Sequence, residues 1–116
     1  MIDRIILFSA GISHWVDPVK IVYIHAHGAY TNIHMTDGTQ LTVSKNLKYI
    51  MGLLTRHPFI HKVHRSWAVN AFHIKAVKAI RNGSSATHSL ILDNGISFPV
   101  MLKEIKLLME THTICE

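Results

Sequence analysis

Three cationic residues and a hydroxyl stand together in the run Lys62-Val63-His64-Arg65-Ser66. Within the segment His57–Asn70, apolar and cationic residues alternate from Phe59 to Arg65 and an apolar run follows, which predicts one half-buried strand with its charges on the outward face. A guanidinium, an ammonium and an imidazole at the end of such a strand suit DNA phosphates and the acceptor atoms of purine bases. A solvated strand end with the same charges is the alternative, and this segment alone does not decide between them.

The charge distribution favours an anionic partner. Residues 38–92 contain eight Lys and Arg and no Asp or Glu, whereas the flanks contain four basic and seven acidic residues. Solubility alone is better served by mixed signs, so a window of one sign indicates polyanion binding. Nucleic acid is the predicted partner, and a simple surface charge is the alternative.

Length and cysteine use limit the class of protein. A chain of 116 residues that is 48% hydrophobic is predicted to form one globular domain with a core. The single cysteine, Cys115, excludes an internal disulfide and Cys-rich zinc motifs, and it suits a reducing compartment. The apolar run Ile5–Phe8 is too short for a secretory signal or a membrane span. We therefore expect a cytoplasmic protein without a membrane partner.

The ten histidines raise the question of a metal site. His25 and His27 share a face if they lie on a strand, but the basic window offers no Cys, Asp or Glu to complete a ligand set. Ser66 and His64 lack a nearby acid to orient a catalytic base, and no phosphate-binding glycine loop is present. We expect no metal, no cofactor and no enzymatic activity.

The first half of the chain reads mainly as strands. Strands are predicted over residues 20–25, 30–35 and 40–43, with a break at His27-Gly28. Asp37-Gly38 predicts a hairpin with a type I′ turn. Residues 4–8 form a further candidate strand, which Ser9-Ala10-Gly11 ends.

One amphipathic helix is predicted between the strands. Ser44 is the candidate N-cap, and the apolar stripe that follows consists of Leu47, Ile50, Met51 and Leu54. The helix must end before His57-Pro58, because the residue that precedes a proline disfavours helical backbone angles.

The second half is predicted to contain a strand over residues 75–81, the turn Asn82-Gly83 and a partner strand over residues 89–92. A tight turn at residues 93–95 leads to an edge strand that holds Pro99, and a terminal helix runs to about Glu110. The fold class is therefore mainly β, with one or two short helices. Four aromatic residues are predicted to lie in the core, with a base-stacking platform as the alternative: Phe59, Trp67, Phe72 and Phe98. For Tyr30, the sequence is equally compatible with a position in the core and with an exposed position that contacts a partner.

Two segments resemble the LytTR DNA-binding domain. Phe59, Val63-His64-Arg65-Ser66 and Val69-Asn70 match the order of that family's Phe, Val-His-Arg-Ser and Val-Asn signature. Residues 20–24 and 28–31 resemble its first half, and Phe98-Pro99-Val100 resembles its terminal Ile-Pro-Val element. The likeness spans about residues 16–109. We assign residues 16–110 to the domain and residues 1–15 to an N-terminal extension.

The resemblance implies an elongated stack of mostly antiparallel sheets that inserts loops into DNA major grooves. Family members are bacterial transcription regulators that bind paired direct repeats. The implied base contacts come from the loop around Tyr30, from Arg65 and from the segment after Pro99. Val69 and Asn70 would be structural.

The chain departs from the family pattern at two places. Met101-Leu102 stands where members often carry Ser-Arg, so Lys103 becomes the substitute contact. No receiver domain accompanies the motif, so we expect any regulation to come from a separate protein, from concentration or from the remainder of a longer chain. The predicted DNA contacts are Arg65, His64, Lys62, Tyr30, Ser66, His27 and Lys103, on double-stranded DNA bound by a homodimer. The alternative is a protein-interaction or inhibitory module on a degenerate scaffold of this family.

Overall fold

The computed structural model of the protein describes residues 4–82 and 85–112. Within these ranges the chain forms ten strands and two α-helices, and every strand pairing is antiparallel. The predicted mainly β class is confirmed. The chain divides into two compact units, residues 1–70 and residues 71–116.

A five-stranded sheet dominates the first unit. Its strands are β3 (Ile21–His27), β4 (Tyr30–Met35), β5 (Gln40–Val43), β6 (Ile60–His64) and β7 (Trp67–Asn70), in the order β5-β4-β3-β7-β6. The central strand β3 therefore pairs with β4, its neighbour in sequence, and with β7, which comes forty residues later. The predicted strands at residues 20–25, 30–35 and 40–43 are confirmed to within two residues at each end.

A hairpin precedes this sheet. It consists of β1 (Ile5–Ser9) and β2 (Ile12–Val16), joined by Ala10 and Gly11. Both joining residues have positive φ angles, 51° and 78°, as a two-residue type I′ loop requires. The strand predicted at residues 4–8 and its break at residues 9–11 are thus confirmed.

One face of the five-stranded sheet packs on helix α1 (Leu47–Leu53) and on the hairpin. The predicted helical stripe points inward, since Leu47, Ile50 and Leu54 are buried and Met51 is partly buried. The core cluster consists of Ile5, Leu7, Val16, Ile21, Ile24, Ile33, Val43, Leu47, Ile50, Leu54, Ile60 and Ala68.

The helix starts two residues later than predicted. Asn46 is the N-cap, because its extended backbone precedes the helix and its side-chain oxygen accepts a hydrogen bond from the Tyr49 amide at 2.8 Å. Ser44 is therefore not the cap. Asn and Ser are about equally good caps, so residue type could not distinguish the two positions. The helix ends before His57-Pro58, as predicted.

The β4–β5 turn is not of type I′. Within the described residues, Ala10 is the only non-glycine residue with a positive φ angle, so Asp37 lacks the conformation that type I′ requires. The Gly38 amide donates to the Met35 carbonyl at 3.1 Å, and Gly38 has a φ angle of 88°. A three-residue loop with glycine in the left-handed region results, so the hairpin is confirmed and its turn type was wrong.

The segment predicted as one strand is a hairpin. β6 and β7 pair antiparallel, with His61 opposite Val69 and His64 opposite Trp67. Two residues, Arg65 and Ser66, form the turn between them. The single-strand prediction was wrong because both arms are rich in apolar residues and no Gly or Pro marks the reversal.

The second unit is a three-stranded sheet followed by a helix. Strands β8 (Ile74–Asn82), β9 (Ser85–Leu92) and β10 (Ser97–Val100) have the order β10-β9-β8, and helix α2 spans Leu102–His112. The predicted pairing of the Lys75–Arg81 strand is confirmed, as is the edge position of Pro99. Gly83 of the predicted turn lies outside the described residues.

The aromatic core predictions have different outcomes. Phe98 is buried, whereas Phe59 and Trp67 are only half-buried. Phe72 is 67% exposed, so its assignment to the core was wrong. It lies in a 3₁₀ turn (Ala71–His73), where no strand alternation directs its ring inward. Tyr30 is 53% exposed.

No helix within the described ranges is long and apolar enough to cross a membrane.

Candidate nucleic-acid interface

The β6–β7 turn presents Arg65. The Arg65 side chain is exposed. The Ser66 that follows it makes one hydrogen bond to a backbone group and one to a side chain. The Ser66 carbonyl accepts from the Ala26 amide of β3 at 2.8 Å, and the Ser66 amide donates to Nδ1 of His64 at 3.2 Å. The turn is therefore anchored to the central strand, while its guanidinium remains in solvent.

The exposed His64 ring acquires a defined donor from the same contact. Because Nδ1 accepts the Ser66 amide, a neutral His64 ring carries its proton on Nε2. That N–H can donate to a phosphate or to a base acceptor.

The β3–β4 turn lies beside the β6–β7 turn. His27 pairs with Tyr30 across Gly28 and Ala29, and the positive φ of Gly28, 61°, closes this two-residue loop. The Ala26–Ser66 hydrogen bond places both turns at the same end of the sheet. His27 and Tyr30 are exposed there, so five of the predicted site residues are brought together: His27, Tyr30, His64, Arg65 and Ser66.

The other two predicted contacts do not belong to these two turns. Lys62 is exposed on the edge strand β6 and pairs with Ala68, so it points away from the face that carries His61 and Val69. Lys103 is exposed in the first turn of α2, in the second unit.

Sequence reasoning missed a row of stacked rings behind the two turns. The Trp67 ring stacks on His25 with centroids 3.8 Å apart and an interplanar angle of 10°. Tyr23 lies 5.9 Å from Trp67 and stacks on His34 at 4.0 Å, also at 10°. We name His34, Tyr23, Trp67 and His25 the ring row. It covers the sheet face opposite the aliphatic core.

Burial and mutual proximity disfavour the charged form of His25 and His34. Burial lowers the pKa of His25, and His27 nearby lowers it further. Burial likewise lowers the pKa of His34, with a smaller contribution from His25. The five strands contain no Asp or Glu to oppose these effects. At neutral pH the ring row is thus a neutral support behind a positively charged turn.

Asn70 closes the sheet from within. Its side chain is fully buried, and its Nδ2 donates to the carbonyls of Val19 at 3.1 Å and Ile21 at 2.8 Å. These bonds tie the end of β7 to the start of β3. They agree with the structural role that the family resemblance implies for this residue.

The histidines do not assemble into a metal centre in the part of the chain that the structure describes. His25 and His27 are neighbours, with ring centroids 6.0 Å apart. No group of three or more His, Cys, Asp or Glu side chains converges within those residues. Structural zinc usually takes four such ligands, so this pair supplies only two of the four.

Comparison with known proteins identifies a family. The model of the LytTr DNA-binding domain matches residues 13–112. Among solved structures, a LytTr DNA-binding domain from Bacillus cereus superposes with a TM-score of 0.70 at 23% sequence identity. The match covers 96% of this chain and 97% of that one, and at this identity it shows the fold alone. A search of curated proteins gives no significant match.

Proposed function

Because this chain belongs to the LytTr DNA-binding domain family, we propose that it is a transcription regulator that recognises a specific sequence in double-stranded DNA. The observation that carries the proposal is the exposed Arg65 on a turn whose backbone is bonded to the central strand. Its partner is DNA, and we assign it no catalytic role.

The two neighbouring turns enter the major groove. Arg65 donates two hydrogen bonds to O6 and N7 of a guanine, a contact that discriminates by about 1–3 kcal/mol. His27, Tyr30, His64 and Ser66 contact phosphates or base edges around it. Because the Ser66 carbonyl is already bonded to Ala26, the loop has little backbone freedom to lose on binding.

Lysines outside the turns supply affinity without sequence preference. Lys45, Lys48, Lys62 and Lys75 are exposed, and the window that contains them has no carboxylate. Each phosphate that such a side chain neutralises releases counterions, which makes binding weaken with salt. Lys103 takes the place of the arginine that many family members have after Pro99-Val100.

The regulator acts in the cytoplasm as a homodimer on paired direct repeats. A separate regulatory protein is a further proposed partner. These proposals rest on the family pattern.

Selection from randomised duplexes, followed by fluorescence anisotropy on the selected and scrambled sequences, tests the proposal. Arg65→Ala should weaken specific binding about ten- to a hundredfold and relax preference at one base pair, with an unchanged melting temperature. Arg4→Ala is the matched control, because Arg4 is also exposed but precedes the N-terminal hairpin. Wild-type protein that binds selected and scrambled duplexes alike would contradict the proposal.

A structural role for Arg65 gives a different result. If its guanidinium paired with an acid such as Asp93, Arg65→Ala would lower the melting temperature and leave discrimination intact. The Asp93 carboxylate lies 3.2 Å from Nδ1 of His73 in the second unit.

A second candidate function rests on the segment after Pro99-Val100. Met101 is 59% exposed and Leu102 is 49% exposed, so this segment presents apolar side chains where a base-reading residue is expected. Such a surface suits protein contact more than DNA. An interaction module would bind neither class of duplex in the same titration.

A further inference from the structure

The His25–Trp67 stack lies directly behind the Arg65 turn. Trp67 follows the turn by one residue, and its ring centroid is 3.8 Å from that of His25 in nearly parallel planes. The same two residues are register partners in the β3–β7 pairing. The stack therefore joins the first residue of β7 to the central strand.

Backbone hydrogen bonding continues from the stack into the turn. Ala26, the residue after His25, donates its amide to the Ser66 carbonyl. Beyond it, His27 pairs with Tyr30 at the β3–β4 turn. Three consecutive residues of β3 thus contact or flank both the β6–β7 turn and the β3–β4 turn. Any shift of Trp67 relative to His25 moves Ser66, and with it Arg65.

We propose that His25 is a positioning residue for DNA recognition: through its stack on Trp67, it holds the Arg65 turn in the orientation that reads the base. This inference rests on the proposed function, and it assigns a recognition role to a residue that does not itself contact DNA. The contribution comes from the flat ring, so a phenylalanine at position 25 should replace it.

A second stack of similar geometry allows the positioning role of His25 to be distinguished from a general contribution to stability. His34 and Tyr23 stack at 4.0 Å and 10°, almost the same geometry as His25 and Trp67. Both histidines are half-buried on the same sheet face, and neither is in a turn. His34, however, pairs with Gln40, near the opposite end of β4 from Tyr30. His34→Ala thus removes a similar stack far from the turn.

The test compares His25→Ala, His25→Phe and His34→Ala in the full chain. Melting temperature and the ratio of affinities for selected and scrambled duplexes are measured for each. Both alanine variants should melt at similarly reduced temperatures. Only His25→Ala should lose discrimination, by about two- to tenfold if the loop loses the free energy of one ring stack. His25→Phe should restore the wild-type ratio.

Each other outcome has a defined meaning. Equal discrimination in His25→Ala and His34→Ala would overturn the positioning role, as would His25→Phe that discriminates no better than His25→Ala. Arg65→Ala is measured in parallel. If wild-type protein and Arg65→Ala both fail to discriminate, the proposed function is wrong. If Arg65→Ala loses discrimination but His25→Ala does not, only the role of His25 is wrong.

Discussion

The two faces of the five-stranded sheet differ in chemistry. Ile24, Ile33 and Ala68 point to a fully buried aliphatic face beneath α1. The opposite face carries the ring row, whose histidines and tryptophan remain half-buried. Aliphatic burial stabilises in proportion to area and has no preferred direction, whereas stacked rings favour particular geometries. The first face therefore holds the fold together, and the second is suited to orient what lies at its end.

The largest expected effect comes from the aliphatic face. Leu54→Ala should lower the free energy of unfolding by about 2–5 kcal/mol, because Leu54 is 2% exposed and the substitution leaves a cavity. Denaturant unfolding measures the change. Discrimination by the remaining folded protein should equal that of wild type, since no turn is touched.

Leu53→Ala is the control in the same helix. Leu53 is half-buried, so the same truncation there should cost less. Equal losses at the two positions, or a neutral Leu54→Ala, would contradict the assigned packing of α1.

The sheet face that carries the ring row should make the stability of the protein depend on pH. Burial lowers the pKa values of His25 and His34 below the ordinary value of 6.5 in the folded protein. Between the folded and unfolded pKa values, the unfolded chain binds more protons, so stability is lost as the pH falls below about 6.5. The melting temperature should accordingly be lower at pH 5.5 than at pH 7.5.

The double substitution His25→Phe and His34→Phe removes both titrating groups and keeps the rings. Its melting temperature should depend less on pH over the same interval. A double variant with the wild-type slope would show that other groups dominate the acid sensitivity, and the contrast between the faces would lose this support.

The smallest expected effect is that of a substitution on the edge strand β6, outside the aliphatic core and the ring row. Lys62→Ala should weaken binding to selected and scrambled duplexes equally, and should make the salt dependence of log affinity shallower by about 0.9 per log unit of salt. Anisotropy titrations at several salt concentrations measure this slope. We expect a wild-type slope equivalent to about four to six phosphate contacts. A wild-type slope near zero would argue against phosphate binding altogether.

Periodic features of this fold were predictable from sequence, and pairings between distant residues were not. Leu47, Ile50 and Leu54 were identified because a helix repeats its face every three to four residues. The stack of His25 on Trp67 joins residues far apart in sequence, and no local pattern indicates which strands become neighbours. In the sequence, only the alternation of Tyr23, His25 and His27 with inward-facing residues indicated that these rings share one face of the sheet.

The errors in the helix N-cap and in the β6–β7 turn have local causes. Ser44 and Asn46 are both good caps, and the backbone geometry that selects Asn46 depends on where β5 ends. The Arg65-Ser66 turn lacks glycine and proline, so the reversal has no sequence marker. The residues of this turn were nevertheless selected as candidate DNA contacts, because the resemblance rested on side chains and did not depend on the turn.

The strand order β5-β4-β3-β7-β6 also determines which strands can pair while the chain is still being synthesised. Strands β3, β4 and β5 can pair as soon as residue 43 has left the ribosome, but the second edge of β3 stays open until residues 67–70 emerge. Until then the nascent chain presents unpaired amides and carbonyls on its central strand, the kind of edge that invites pairing with another chain. Arrival of Asn70 ends that interval, because its side chain binds the carbonyls of Val19 and Ile21.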